Sequence, residues 1–119
     1  MKLLVLGAAG QLGSAFAEVP GHQVVGLTRA DVDVTDGDAL IAVVERERPD
    51  VLVNCTAYNN VDGAEDDAAT ALAVNALAVR SMAAAAARVD ATLVHYSTDF
   101  VFDGEAATPY GEDDRACPV

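Results

Sequence analysis

A short apolar run that opens straight onto three spaced glycines constrains this chain more than any other feature. Lys2-Leu3-Leu4-Val5-Leu6 reads as a strand buried on both faces, and Gly7-Ala8-Ala9-Gly10-Gln11-Leu12-Gly13, a G-x-x-G-x-x-G, follows it. Such a turn between strand and helix is the setting in which a dinucleotide pyrophosphate is held. Glycine there allows the tight turn, the approach of backbone to phosphate, and close packing of helix on strand. The first N–H groups of the next helix then face the anion. The alternative is a glycine-rich turn that binds nothing. A P-loop is disfavoured, because no Gly-Lys-Ser/Thr follows.

The rest of the chain alternates strand and helix signals. A helix is expected from Gln11 to Glu18, stopping before Pro20-Gly21, and a second strand over residues 23–27. Thr35 with Asp38 resembles a capping box. The helix it opens carries Leu40, Ile41 and Val44 on one face and ends at Pro49. "VLVN" at 51–54 is a third strand. A long alanine-rich helix is expected from Glu65 to Val89, with Glu65, Asp66 and Asp67 at its positive end. Its apolar residues run nearly all round, which predicts burial on more than one side. "TLVHY" at 92–96 is a fourth strand, and the chain turns loop-like after Phe102. About four strands and three helices in the order β-α-β-α-β-α-β predict an α/β fold. It is a doubly wound parallel sheet with helices on both faces.

Charge and cysteine usage narrow the function classes. Nineteen acidic and seven basic residues give a formal net charge of -12, which repels nucleic-acid backbones, so no nucleic-acid partner is expected. Cys55 and Cys117 form no CxxC pair and no metal-ligand spacing, so a cytoplasmic location and no metal are expected. The N-terminal apolar run is too short for a signal sequence. No stretch is expected to approach the roughly 20 apolar residues of a membrane span.

The second strand runs into Thr28-Arg29. A carboxylate there would bind the ribose 2′-hydroxyl of NAD, whereas arginine suits the 2′-phosphate of NADP. NADPH is therefore the expected coenzyme, with NADH the open alternative. Asp31 and Asp33 follow closely enough for either to meet ribose or adenine, and Arg29 can also be read as an ordinary surface charge.

Four stretches together, Gly7 to Gly13, "DVTD" at 33–36, "NCTAYNNVDGAED" at 54–66 and "HYSTDFVFDG" at 95–104, resemble the dTDP-4-dehydrorhamnose reductase family. That family belongs to the extended short-chain dehydrogenase/reductases. The resemblance implies a Rossmann-type fold and the NAD(P)H-dependent reduction of a 4-keto dTDP-sugar to dTDP-L-rhamnose. It implies pyrophosphate contacts from Gly10, Gln11 and Leu12, adenine contacts from Asp33 and Val34, and a coenzyme wall of Ala57, Tyr58 and Asn59. It places Thr98 and Asp99 against the sugar nucleotide, with Thr98 in the catalytic set. The chain departs from the family pattern at Phe100, where many members have Tyr, and at Gly63, where Lys is common. Two other readings share the glycine loop. One is an epimerase or dehydratase acting on another nucleotide sugar; the other is a non-catalytic nucleotide-binding regulatory module, like the regulatory subunit of methionine adenosyltransferase.

In this chemistry a tyrosine phenol protonates the carbonyl and a lysine four residues on lowers its pKa. Here Tyr58, Tyr96 and Tyr110 are followed at that spacing by Asp62, Phe100 and Asp114, and Lys2 is the only lysine. Residues 1–119 are therefore expected to be the N-terminal part of an NAD(P)-binding domain, inactive alone, without its remaining strands and C-terminal substrate lobe. An exposed fourth strand and self-association, as in a homo-oligomer, follow from that expectation.

Of the remaining candidates, His22 is expected at the surface and His95 as a packed, hydrogen-bonded residue. Cys55 is expected as a small buried side chain, and Asn75 as bonding a loop near the site.

Overall fold

Apolar runs closed by glycine or proline become four parallel strands. The computed structural model describes residues 1–118, and for Val61 the backbone only. Strands β1 (Lys2–Leu6), β2 (Gln23–Leu27), β3 (Val51–Asn54) and β4 (Thr92–His95) form one sheet in the order β2-β1-β3-β4. Leu4 lies level with Val25 and Leu52, and Leu52 with Leu93. The first three strands hold their expected bounds. The fourth ends one residue early, because its last partner is Asn54, paired with His95, and Tyr96 has nothing left to pair with.

The helices are α1 (Gln11–Phe16), α2 (Gly37–Glu47), α3 (Val61–Asp66), α4 (Ala68–Leu72) and α5 (Ala78–Arg88). A π-helical turn, Ala73–Leu77, joins α4 to α5. α1 stops short of Glu18 because its bonds tighten to the i→i+3 type, Glu18 N–H to Ala15 and Val19 N–H to Phe16, before Pro20. α2 is capped by Asp36, whose carboxylate accepts the Ala39 N–H, and not by Thr35. The Thr35 hydroxyl donates instead to Asp33, and a carboxylate one residue later is the available cap. Arg48 closes α2 in the left-handed conformation ahead of Pro49.

The third expected helix is the largest departure. It begins earlier, where the Asn60 side chain accepts the Gly63 N–H, and breaks at Asp67. Asp67 caps α4 through the Thr70 N–H, so Glu65 and Asp66 end a separate short helix instead of starting the long one. Burial on several sides is not realised either. α5 buries Ala78, Met82, Ala85 and Ala86, while Leu72 and Leu77 stay 58% and 55% exposed. Ala68–Arg88 is also 21 residues long and contains an 18-residue stretch of mean hydropathy 1.4, enough by length and composition to cross a membrane, against the sequence expectation. Alanine raises that mean, and the helix lays its buried residues on the sheet.

The winding is double. On one face α2 and α5 cover Leu4, Leu6, Leu27 and Leu52, joined by Leu40, Val44 and Met82. On the other, Phe16 of α1 packs with Leu3, Val5 and Val53. At the N-terminal end of the sheet the Lys2 ammonium pairs with Glu47 at 3.1 Å. Among the described residues β4 is paired on one side only. Residues 103–118 hold no regular element; Tyr110 stacks on Phe102 with ring centroids 4.3 Å apart. Val119, the last residue of that expected loop, lies outside the described residues.

Candidate functional site

From β1 the chain winds through α1 to β2 on one side, then returns through α2 to β3 on the other. Reversal of direction beside β1 leaves a crevice at the carboxyl ends of the strands. A cavity of about 550 Å³ lies there, floored by Leu6 and Leu27. Its walls come from the glycine loop, from residues 28, 29 and 32–35 after β2, from residues 55–58 after β3, and from Thr70, Ala73 and Val74.

The glycine loop is built by contact as much as by conformation. Gly7 has φ +80°, and a Cβ there would stand 2.9 Å from the Cys55 carbonyl oxygen. A Cβ on Gly13 would strike the Gly7 carbonyl, which is how closely α1 seats on β1. Gly7 and Ala8 donate their N–H groups to the Leu27 carbonyl at 2.9 and 3.0 Å, tying the loop to β2. No side chain caps α1 at Gly10, so the first N–H groups of α1 have no capping acceptor. A bare backbone cradle at a helix start beside an open cavity fits a diphosphate.

Residues 28–35 hold two carboxylates in local turns. Asp31 accepts the Thr28 N–H and hydroxyl at 2.8 and 2.7 Å, and Asp33 accepts those of Thr35 at 2.9 and 2.7 Å. The Thr28 hydroxyl holds the Asp31 carboxyl below the usual carboxylate range, and the Thr35 hydroxyl does the same for Asp33. Asp33 lines the cavity and Asp31 does not, which separates two residues that sequence left equivalent. Arg29 lines it too, is exposed, and takes part in no ion pair among the described residues.

Two asparagine amides pin the segment after β3. Buried Asn54 accepts the Thr56 N–H and hydroxyl through its oxygen, at 2.9 and 2.6 Å. Its amide nitrogen therefore faces His95 and donates to Nδ1 at 3.0 Å, which puts the neutral ring's proton on Nε2. His95 is hydrogen-bonded as expected, but it is exposed at the sheet edge and not packed in the core, because nothing described pairs beyond β4. Asn75 bonds both main-chain groups of Tyr58, in the loop near the site, as expected. Its oxygen accepts the Tyr58 N–H at 2.8 Å and its nitrogen donates to the Tyr58 carbonyl at 2.9 Å.

Cys55 is half-buried in the cavity wall, and burial pushes its thiol pKa up. Cys117 is exposed. Alkylation by iodoacetamide at neutral pH is expected to modify Cys117 about tenfold faster than Cys55, since only the accessible thiolate reacts. Peptide mapping over time checks this; equal rates would contradict it.

Of the residues singled out from sequence, Gly7, Gly10, Arg29, Asp33, Val34, Ala57 and Tyr58 come together around the cavity. Gln11, Leu12, Gly13 and Asn59 do not line it. The first three begin α1, where Gly13 is buried against Gly7. Thr98 and Asp99 also lie outside the lining, on the turn that follows β4 at the same end of the sheet. Tyr110 is occupied structurally: its hydroxyl donates to Asp103 at 2.6 Å and accepts the Ala106 N–H. Among the described residues no cluster of three or more His, Cys, Asp or Glu could hold a metal. Thr70, Ala73 and Val74 were missed, because small residues on an alanine-rich helix carry no signal of a ligand. Thr56 stands within the 54–66 stretch that carries the family resemblance, and that stretch was its signal.

The model of the RmlD substrate binding domain family matches residues 1–119. A dTDP-4-dehydrorhamnose reductase of Burkholderia thailandensis is 50% identical over 122 residues, covering 100% of this chain and 41% of the relative. The chain thus spans about two fifths of the length of that curated relative. A dTDP-4-dehydrorhamnose reductase structure from Bacillus anthracis, in complex with NADP, is 32% identical with a TM-score of 0.92, covering 98% of this chain and 43% of that one. Another, from Clostridium acetobutylicum, is 37% identical with a TM-score of 0.90, covering 99% and 43%. With the glycine cradle, the switch-point cavity and a full-length family match together, this chain belongs to the RmlD substrate binding domain family and corresponds to an N-terminal part of its dTDP-4-dehydrorhamnose reductase relatives.

Proposed function

We propose that residues 1–119 are the coenzyme-binding, N-terminal part of an NADPH-dependent reductase of the 4-keto group of a dTDP-sugar, converting dTDP-4-dehydro-L-rhamnose to dTDP-L-rhamnose. The observation that carries this reading is the cavity at the topological switch point, with an uncapped α1 on one side and, on the other, Arg29, which forms no ion pair among the described residues. Gly7, Gly10, Gln11, Leu12 and Gly13 form the diphosphate cradle, and Arg29 takes the 2′-phosphate. Asp33 and Val34 lie by the adenine, and Ala57 and Tyr58 form the opposite wall, with Asn59 next to them in the chain but outside the lining. The B. anthracis relative holding NADP supports the choice of coenzyme.

The coenzyme supplies the hydride that reduces the keto carbon. Thr98 and Asp99 meet the sugar nucleotide. The Thr98 hydroxyl accepts the Phe100 N–H at 3.2 Å and donates weakly to Asp99 at 3.3 Å. No tyrosine here has a lysine four residues on, and Lys2 is held by Glu47 at the end of the sheet away from the cavity. The proton donor and the substrate lobe therefore belong to other residues of the intact protein. The 119 residues alone are inactive in this reading. Free Cys55 and Cys117 agree with a cytoplasmic enzyme.

Intact protein supplied with NADPH and dTDP-4-dehydro-L-rhamnose is expected to consume the coenzyme and yield dTDP-L-rhamnose. An isomerised sugar without net coenzyme oxidation would point to an epimerase instead. Tight coenzyme binding with no turnover of any 4-keto dTDP-sugar would point to a regulatory module.

A further inference from the structure

Residues 103–118 hold no helix or strand, yet two points tie this stretch back to the turn after β4. Tyr110 lies flat on Phe102, with ring centroids 4.3 Å apart and an interplanar angle of 5°. Its hydroxyl closes the loop from within, donating to Asp103 at 2.6 Å and accepting the Ala106 N–H at 3.1 Å. That bond from Tyr110 holds the Asp103 carboxyl below the usual carboxylate range. Further on, the Cys117 N–H donates to the Val101 carbonyl at 2.8 Å. Val101 is the last residue of the 3₁₀ turn Asp99–Val101; Thr98 caps its start and Phe102 its end. Phe102 and Tyr110 are half-buried, while every residue between them is exposed. A loop of exposed residues has no core to fix its path, so the stacked pair and the bond to a carboxylate define it.

We propose that Tyr110 is a positioning residue for the sugar-nucleotide side of the site: by stacking on Phe102 and gripping Asp103, it braces the turn that presents Thr98 and Asp99. This rests on the reading of Thr98 and Asp99 as substrate contacts. The turn is short, and its own bonds are few. The Thr98 hydroxyl accepts the Phe100 N–H at 3.2 Å, and the Val101 and Phe102 N–H groups reach the Thr98 and Asp99 carbonyls at 3.3 and 3.0 Å. Phe100 is 69% exposed, so little of its ring packs. The brace grips the two residues just past the turn. Without it the turn samples more positions, and a substrate must order it on binding. Coenzyme binding is spared, because Phe102, Asp103 and Tyr110 all lie outside the cavity lining.

The test uses the intact protein with two variants. Tyr110→Phe keeps the stack and removes both hydroxyl bonds, and Tyr110→Ala removes the stack as well. Tyr110→Phe is expected to show faster hydrogen exchange at the Ala106 and Phe102 amides and a kcat/KM for the sugar substrate lowered about fivefold. Tyr110→Ala is expected to lower it about 20-fold. The NADPH Kd is expected to stay within a factor of about two in both, because a merely structural defect would move coenzyme and sugar together. Tyr110→Phe carries the test if the alanine variant does not fold. A kcat/KM within about twofold of the parent in Tyr110→Phe overturns the brace, as does an NADPH Kd that rises in step with the loss. Thr98→Ala tests the reading beneath it: parental kcat/KM in that variant removes Thr98 as a substrate contact and the brace with it, whereas a damaging Thr98→Ala beside a silent Tyr110→Phe overturns the brace alone.

Discussion

Gly13→Val should leave this protein largely unfolded, and Gly13→Ala should already cost about 3 kcal/mol, the upper end of what overpacking does. The reason is contact and not conformation. A Cβ on Gly13 would overlap the Gly7 carbonyl and stand 2.8 Å from its carbon and 2.9 Å from the Ala8 Cα. Every one of those atoms is backbone, so no rotamer relieves the clash. Gly7 cannot retreat, because its N–H is bonded to Leu27 and its carbonyl accepts the Gly10 N–H. α1 would have to lift off β1, carrying Gln11 and Leu12 away from the glycine loop. Gly21 is the control: it has φ +78° and nothing within 4 Å of a built Cβ. Gly21→Ala meets only the left-handed strain, about 1 kcal/mol. Urea midpoints at constant m-value compare the two in the intact protein. Equal losses at positions 13 and 21 would mean that α1 is not seated on the loop as described.

That glycine loop was legible from sequence because its physics is local. Strand, turn and helix start are consecutive, and the residues that clash when substituted are six apart in the chain. The strands were legible for a similar reason: each apolar run is bounded by a residue that ends it, and parallel strands buried on both faces need no alternation. The break at Asp67 was not legible. Glu65, Asp66 and Asp67 are equally good first-turn acids on paper, and only the fold decides which carboxylate meets an unpaired N–H. Thr35 and Asp36 present the same ambiguity, resolved by Asp33 taking the threonine hydroxyl. Asn75 was flagged because asparagine is out of place mid-helix, but its partner lies 17 residues away across a loop. Exposure of Leu72 and Leu77 was hidden for another reason. An alanine-rich helix looks apolar on every side, whichever side the sheet covers.

Arg29→Ala is expected to lower NADPH affinity about 10- to 100-fold and to leave NADH within a factor of about two. Arg29 is exposed on the cavity rim, and no carboxylate claims it among the described residues. Asp33, the nearest acid by sequence on that wall, is already bonded twice to Thr35, and Arg29 is only the weakest of the influences that lower its pKa. The guanidinium fork is thus free to grip a phosphate with two parallel bonds. Arg29→Lys keeps the charge without the fork and should land between the two. The formal charge of -12 sharpens the argument. A segment this acidic repels both coenzymes, so a preference for the more highly charged one calls for a cation at the site. The preference should shrink as salt is added, since an exposed cation is screened. Fluorescence titration of both coenzymes, with parent and variant at two ionic strengths, reads all of this. A parent that binds NADPH and NADH equally, or a variant that loses both alike, would make Arg29 an ordinary surface charge and would leave the carboxylate of Asp33 as the group that meets the ribose.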